Sequence, residues 1–289
     1  EPSATFRYMT IQSEGGTRKT IEKGLQELHL LAQEANKATR EPAPVSEIMV
    51  GMQCGGSDGY SGITANPALG YASDLLVRHG GTTILSETSE VYGAEHLLTR
   101  RAVSTEVGKK LIDRIYWWED YCARNGGEMD NNPSPGNKNG GLTTILEKSL
   151  GAVAKSGSAP LTDVYLFGEA IDKKGFVFMD SPGFDPCSVT GQVASGANMI
   201  IFTTGRGSVS GYKPTPCIKL ATNTEMYRRL EEDMDLNCGD IVTSGVSIEE
   251  KGTELFELII RIASGEETKS EALGFGGAEF VPWQIGAVM

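Results

Sequence analysis

Glu47-Ile48-Met49-Val50-Gly51-Met52-Gln53 leads directly into Cys54-Gly55-Gly56-Ser57-Asp58-Gly59-Tyr60-Ser61-Gly62-Ile63-Thr64-Ala65-Asn66-Pro67, and an apolar-periodic stretch follows as far as Arg78. The first block predicts a buried strand over 47–53. The glycine-rich block is a polar turn, and Pro67 near N1 opens a helix over 67–78. Strand, polar turn and helix in that order make the basic unit of a parallel sheet. The alternation continues outward: strands over 82–86, 175–179, 197–203 and 218–222, and helices over 94–101, 105–123, 143–155, 188–195, 225–234 and 248–264. The chain therefore reads as an α/β fold, a parallel sheet with helices on both faces. Residues 125–141 read as a long functional loop, and the apolar tail 280–288, with Trp283, is expected to dock on the body.

Ahead of this body lie an extended segment near 6–10, a helix over 17–37 with Ile21, Leu25 and Leu28 at helical spacing, and the connector Glu41-Pro42-Ala43-Pro44. The expected division is an N-terminal segment, 1–45, and a main domain, 46–289. The chain starts at Glu1 rather than Met, and more protein upstream is expected.

Composition narrows the classes. The 289 residues carry 26 Lys plus Arg against 38 Asp plus Glu, a net charge of −12. Such a surface repels phosphate backbones and anionic lipid, which argues against nucleic-acid and membrane partners. No apolar run nears the ~20 residues of a bilayer span, so a cytoplasmic protein is expected. Five cysteines, none in a CxxC pair, argue for reduced thiols and against a zinc ribbon or a disulfide framework. Glycine is abundant, 36 of 289 residues against about 7% in average proteins. It clusters where predicted strands hand over to helices, which is where ligands bind in open α/β sheets.

Four such junctions carry candidate chemistry. In the Cys54–Pro67 loop, consecutive glycines turn backbone N–H groups toward an anion, and Cys54 is placed as a thiolate ligand. A tight turn with an inert buried cysteine is the plainer alternative. Ser86-Glu87-Thr88-Ser89-Glu90 offers two carboxylates three residues apart, followed by Glu95 and His96; with a thiol nearby these suit Fe(II) or another divalent ion. Carboxylates complementing a helix dipole are the alternative there. Pro135-Gly136-Asn137-Lys138-Asn139-Gly140-Gly141 offers Lys138 as a mobile cation before a helix, and Phe202-Thr203-Thr204-Gly205-Arg206-Gly207-Ser208 offers Arg206 for a carboxylate. Asp180-Ser181-Pro182-Gly183-Phe184-Asp185-Pro186-Cys187 is a further acidic strand-end loop. Together these suit a metal-assisted reaction on a small polyanion.

The same segments resemble the altronate dehydratase/galactarate dehydratase family. The match rests on Cys54 to Asp58, Ser61 to Pro67, Ser86 to Glu90, Pro135 to Lys138 with Gly140-Gly141-Leu142, Phe202 to Gly207, and the tail from Phe280 to Gly286. The resemblance implies a Rossmann-like catalytic domain that removes water from a sugar acid, giving a 2-keto-3-deoxy acid through an enol. It implies Fe(II) or another divalent metal, a dimerising segment within 1–45 and hence a homodimer, and a small β-clip domain or subunit outside this chain. Carried onto these residues, Cys54, Glu87 and Glu90 hold the metal, with Asp58 weaker. Ser57, Asp58, Asn137, Lys138, Thr204 and Arg206 bind the substrate, and Lys138, Arg206 and His96 serve catalysis. Relatives that expel sulfite, the sulfolactate sulfo-lyases, share the motif. Two other readings stay open: a non-catalytic sugar-acid-binding subunit, and an aconitase-type iron–sulfur enzyme, which needs about three converging cysteines from Cys54, Cys187, Cys217 and Cys238.

Overall fold

A computed structural model describes residues 6–286, and it divides the chain into two units that meet in sequence at Pro44 and Val45. The first contains helix α1 (Thr17–Ala35), whose predicted stripe of Ile21, Leu25 and Leu28 is exposed. The segment near 6–10 is not a strand. It lies along α1 through the Arg7–Glu27 ion pair, and among the described residues no backbone supplies it with ladder hydrogen bonds.

The second unit opens with β1 (Met49–Cys54), α2 (Ala65–Arg78) and β2 (Thr82–Leu85). Next come α3 (Glu95–Thr99), α4 (Thr105–Arg124), α5 (Pro135–Asn139), α6 (Ile145–Ala154), β3 (Leu161–Tyr165) and β4 (Gly175–Met179). The chain continues through α7 (Asp185–Ala194), β5 (Met199–Thr204), β6 (Cys217–Ala221), α8 (Thr224–Arg229) and β7 (Leu236–Asn237), and closes with α9 (Asp240–Thr243), α10 (Ile248–Ala263) and α11 (Lys269–Ala272).

The seven strands form one parallel sheet in the order β3-β4-β2-β1-β5-β6-β7. From the central β1 the chain builds toward β2, β4 and β3, then crosses back to place β5 on the other flank of β1. The C-terminal ends of β1 and β5 therefore flank the switch point, the usual ligand crevice of an open α/β sheet. Side chains alternate across the sheet, as a period of two requires. Phe176, Phe178, Met199 and Ile201 face a thick layer made by α2, α4 and α10. Val177, Met179, Ile200 and Phe202 face the other side, covered by Val189 of α7 and by Tyr212.

Two strands escaped the sequence reading. In β3 the buried, polar Asp163 breaks the apolar run; it is held by Lys110 and Lys173. Strand β7 is two residues long. The loop at 125–141 contains α5, started by a capping box between Ser134 and Asn137 with Pro135 in the first turn. The helix predicted over 225–234 ends at Arg229, because buried Met234 turns in to pack with Ala221 and Met226. The tail docks as expected. Trp283 stacks on Trp118 at 5.3 Å and meets Phe167 edge-on, while Ile285 is exposed; Ala287 and Val288 lie outside the described residues. Among the described residues no helix is long and apolar enough to cross a membrane.

One close approach positions the site. A Cβ on Gly70 of α2 would lie 2.2 Å from the Ala154 carbonyl and 3.0 Å from the Gly157 nitrogen. Only glycine lets the end of α6 press this closely on α2. Gly70→Ala is expected to destabilise the fold by about 2 kcal/mol through overpacking against rigid backbone, measured as a lower midpoint in urea unfolding at unchanged slope.

Candidate active site

Three elements deliver acidic ligand atoms to the C-terminal edge of the sheet. Cys54 ends β1, Glu87 and Glu90 follow β2, and Asp185 begins α7. Two lysines come from below: Lys148 in α6 and Lys155 just after it, seven residues apart and so on one helical face. All six are buried.

Glu87 holds its place by an uncommon backbone. It has φ 65° and ψ 64°, left-handed for a non-glycine residue. The Glu87 N–H donates to Ser181 Oγ at 2.9 Å and the Thr88 N–H to the Ser181 carbonyl at 2.9 Å. Thr88 and the Trp118 indole both donate to Asp180, at 2.6 and 2.8 Å. The aromatic cluster that receives the tail thus braces the strained turn that presents Glu87.

The contacts are short and shared. Lys155 Nζ donates to Cys54 Sγ and to Glu87 Oε2, both at 2.8 Å. Lys148 Nζ donates to Glu90 Oε1 at 2.6 Å and Asn132 Oδ1 at 2.7 Å, and Asn132 Nδ2 donates to the same Glu90 oxygen at 3.0 Å. The Cys54 thiol points at Glu90 Oε2, 3.1 Å away. Glu87 Oε1 and Asp185 Oδ1 are buried with no partner.

Charge explains the titration pattern. Two ammonium groups face three carboxyls and a thiol, so the acids cannot all ionise at once. Burial, then Glu87 and Glu90, push the Cys54 thiol well up. Burial lifts Glu87 to about 8 against the pull of Lys155, and lifts Asp185 to about 7. Burial also opposes ionisation of Glu90, yet the two lysines outweigh it and hold that carboxylate below its usual range. Both lysines stay protonated, because their acidic neighbours outweigh burial.

The cluster opens on a cavity of about 310 Å³ walled by Cys54, Glu90, Asn132, Lys148, Asp185 and Arg206. Gly55 shapes its floor: a Cβ there would lie 2.4 Å from Phe202 Cζ and 2.6 Å from Asp185 Oδ2.

Cys54, Glu87 and Glu90 each offer one ligand atom, all within 4.8 Å of one another. Donors about 2.2 Å from one cation stand about 3–3.7 Å apart. The Cys54 sulfur lies 3.1 Å from Glu90 Oε2 and 3.7 Å from Glu87 Oε2, so the donor set fits a divalent ion. Its two positive charges would also make up the shortfall of cations. The other cysteines do not join: β6 begins at Cys217 whereas β1 ends at Cys54, placing these thiols at opposite edges of a parallel sheet. Among the described residues, the one group of potential metal ligands contains a single cysteine.

The remaining predicted residues divide. Asn137 and Arg206 line the cavity, Arg206 as an exposed residue at its mouth. Ser57 is buried beside it with an unpartnered hydroxyl, and its carbonyl accepts from Asn137. Thr204 caps its own turn by accepting the N–H groups of Arg206 and Gly207. Asp58 is occupied by Ser61, Thr222 and Asn223, so it ties the β1 and β6 loops together and does not face the metal ligands. Lys138 and His96 are exposed, on α5 and α3, and neither lines the cavity. Asp185 comes from the acidic strand-end loop noted at 180–187, whereas Lys148, Lys155 and Asn132 occupy the cluster without having been singled out as site residues. Lys148 shares the buried side of α6 with Ser149, Ala152 and Val153, a side that no local sequence signal separates from an ordinary solvated one.

A parallel α/β sheet with a thiol, carboxylates and buried lysines around a switch-point cavity is the architecture of an α/β ligand-binding domain. The family model described as D-galactarate/Altronate dehydratase, C-terminal, matches residues 45–288, and the chain belongs to that family. It is 45% identical over 265 residues to galactarate dehydratase (L-threo-forming) of Escherichia coli (strain K12), covering 92% of this chain and 51% of that protein. It is 40% identical over 255 residues to altronate dehydratase of Bacillus subtilis (strain 168), covering 88% of this chain and 51% of that protein. The (2R)-sulfolactate sulfo-lyase subunit beta of Chromohalobacter salexigens is 36% identical over 265 residues, 90% of this chain and 68% of that subunit. The chain thus spans about half the length of the two dehydratases.

Removing the Lys155 charge should unmask the network. Lys155→Met is expected to lower stability by about 3–5 kcal/mol, since it strands buried acids. Lys155→Met combined with Glu87→Gln should recover part of that loss, read as a coupling free energy in a urea double-mutant cycle.

Proposed function

We propose that this chain is the catalytic portion of a sugar-acid dehydratase. The observation that carries the reading is the buried cluster of Cys54, Glu90, Lys148 and Asp185 facing one cavity. A polyhydroxy acid enters with its carboxylate on Lys148 and Asn132, and Arg206 closes over the mouth. The α proton passes to Asp185, whose free Oδ1 has no competing partner. Lys148 stabilises the negative charge that then builds on the carboxylate oxygens. Asp185 returns its proton to the β-hydroxyl as that group departs, so one water leaves and an enol remains. The enol tautomerises to the 2-keto-3-deoxy acid. A divalent cation such as Fe(II), held by Cys54, Glu87 and Glu90, would supply Lewis-acid stabilisation of the same oxyanion. Lys155 keeps Glu87 and Cys54 oriented for that task. The β-clip domain or subunit that the family resemblance implies completes the assembly, in keeping with the half-length span.

Sulfite in place of water is the second reading, favoured by the match over 68% of a sulfo-lyase subunit. The proton-transfer step is shared, and only the leaving group differs. With the β-clip partner supplied, 2-keto acid formation from galactarate or altronate supports the dehydratase reading. Sulfite release from sulfolactate, with both sugar acids inert, would replace it.

Anaerobic calorimetry tests the metal site. Fe(II) binding should weaken about tenfold or more in Cys54→Ser and in Glu87→Gln; binding indifferent to both would move the metal elsewhere. The turnover rate should rise with pH through about 7, because Asp185 must be ionised to accept the proton. Asp185→Asn should lose turnover at every pH while retaining Fe(II) binding.

A further inference from the structure

A second cavity of about 290 Å³ adjoins the first and shares Gly55, Gly56, Phe184 and Asp185 with it. Its far wall is Ser208, Ser210 and Tyr212, in the loop between β5 and β6. Tyr212 is 1% exposed, and its ring is packed with Val189, Ile200 and Phe202. Its backbone is pinned, since the Thr215 N–H and hydroxyl both donate to its carbonyl at 2.8 Å. Yet its hydroxyl has no hydrogen-bond partner. Burial drives the hydroxyl far up in pKa, and the Ser210 hydroxyl beside it is taken up by Ser208. A fixed ring on a cavity wall whose buried hydroxyl is left unsatisfied is expensive unless a ligand completes it.

We infer that this second lobe is the distal subsite for the hydroxyl-bearing end of an extended sugar acid, with Tyr212 as its specificity-determining residue. The inference rests on the proposed dehydratase site and adds to it the length of the substrate. The two lobes differ in chemistry. The first has Lys148 and Arg206 for a carboxylate; the second has hydroxyl groups, and its only charged wall residue is the shared Asp185. The carboxylate therefore lies in the first lobe and the α-carbon at the junction, beside Asp185. Carbons beyond it run into the second lobe, where a substrate hydroxyl accepts from Tyr212. A three-carbon acid reaches only the junction, whereas a six-carbon acid fills both lobes.

The test is calorimetry on the full chain with Fe(II), titrating D-glycerate and then galactarate and altronate, into wild type, Tyr212→Phe and Lys148→Met. The better-bound six-carbon acid should exceed glycerate in affinity. Tyr212→Phe should remove about tenfold of that advantage, the worth of one buried hydrogen bond. Glycerate binding should not change in that variant, and its unfolding midpoint should hold or rise, because no internal bond is lost. A six-carbon advantage that survives Tyr212→Phe, or no advantage at all, overturns the distal subsite. Glycerate binding that still depends on Lys148 would then leave the proposed function standing. If no acid binds any of the three proteins, both readings fall together.

Discussion

The fully buried Lys155 ammonium is the constraint around which the unit is arranged. An unpaired charge at that depth is prohibitively unfavourable, so the fold must bring acids to it. It does so from two strands at once, with Cys54 from the end of β1 and Glu87 from beyond β2. That requirement sets the position of α6, which reaches the cluster only because Gly70 has no side chain. It also explains why Glu87 is held in a left-handed conformation: Ser181, Asp180 and Trp118 secure a turn that local preference alone would not choose.

Neutralisation by the lysines is incomplete, and the imbalance is the chemically useful property. With two cations for four acidic groups, the cluster keeps Asp185 near the middle of the pH scale while Glu90 stays ionised. One site thus holds a carboxylate for ligation and a carboxyl for proton transfer: Glu90 accepts directly from Lys148, whereas at Asp185 desolvation and the Glu90 charge outweigh the lysines. The switch-point topology supplies the location, since it splays the loops after β1 and β5 and leaves space between them.

Much of this was legible in the chain. Cys54, Glu87 and Glu90 were readable because each stands at a strand end, where the backbone aims side chains at a crevice. Arg206, just past β5, was readable for the same reason, and Asn137 from its glycine-rich, polar stretch. Lys148 and Lys155 were not, since a lysine in a helix ordinarily marks its solvated side and only packing shows that this face is turned inward. Lys138 in its glycine-rich stretch looked mobile and available, but the capping box between Ser134 and Asn137 makes that stretch a helix turn with Lys138 outward. Asp58 carried the motif's acidic signal, yet its oxygens are taken by hydroxyl and amide donors from the far end of β6.

Periodicity and turn chemistry determined the parallel α/β class, most of the strands and helices, and the loops that carry function, because those follow from interactions a few residues apart. Strand order, the buried face of α6, the orphaned oxygens of Glu87 and Asp185, and the unsatisfied hydroxyl of Tyr212 were decided only by the tertiary structure. They depend on contacts between residues far apart in the chain, such as Cys54 with Lys155 and Asp58 with Thr222, 101 and 164 positions apart. Burial is a property of the packed whole, and it is burial that turns ordinary lysines and carboxyls into a reactive site.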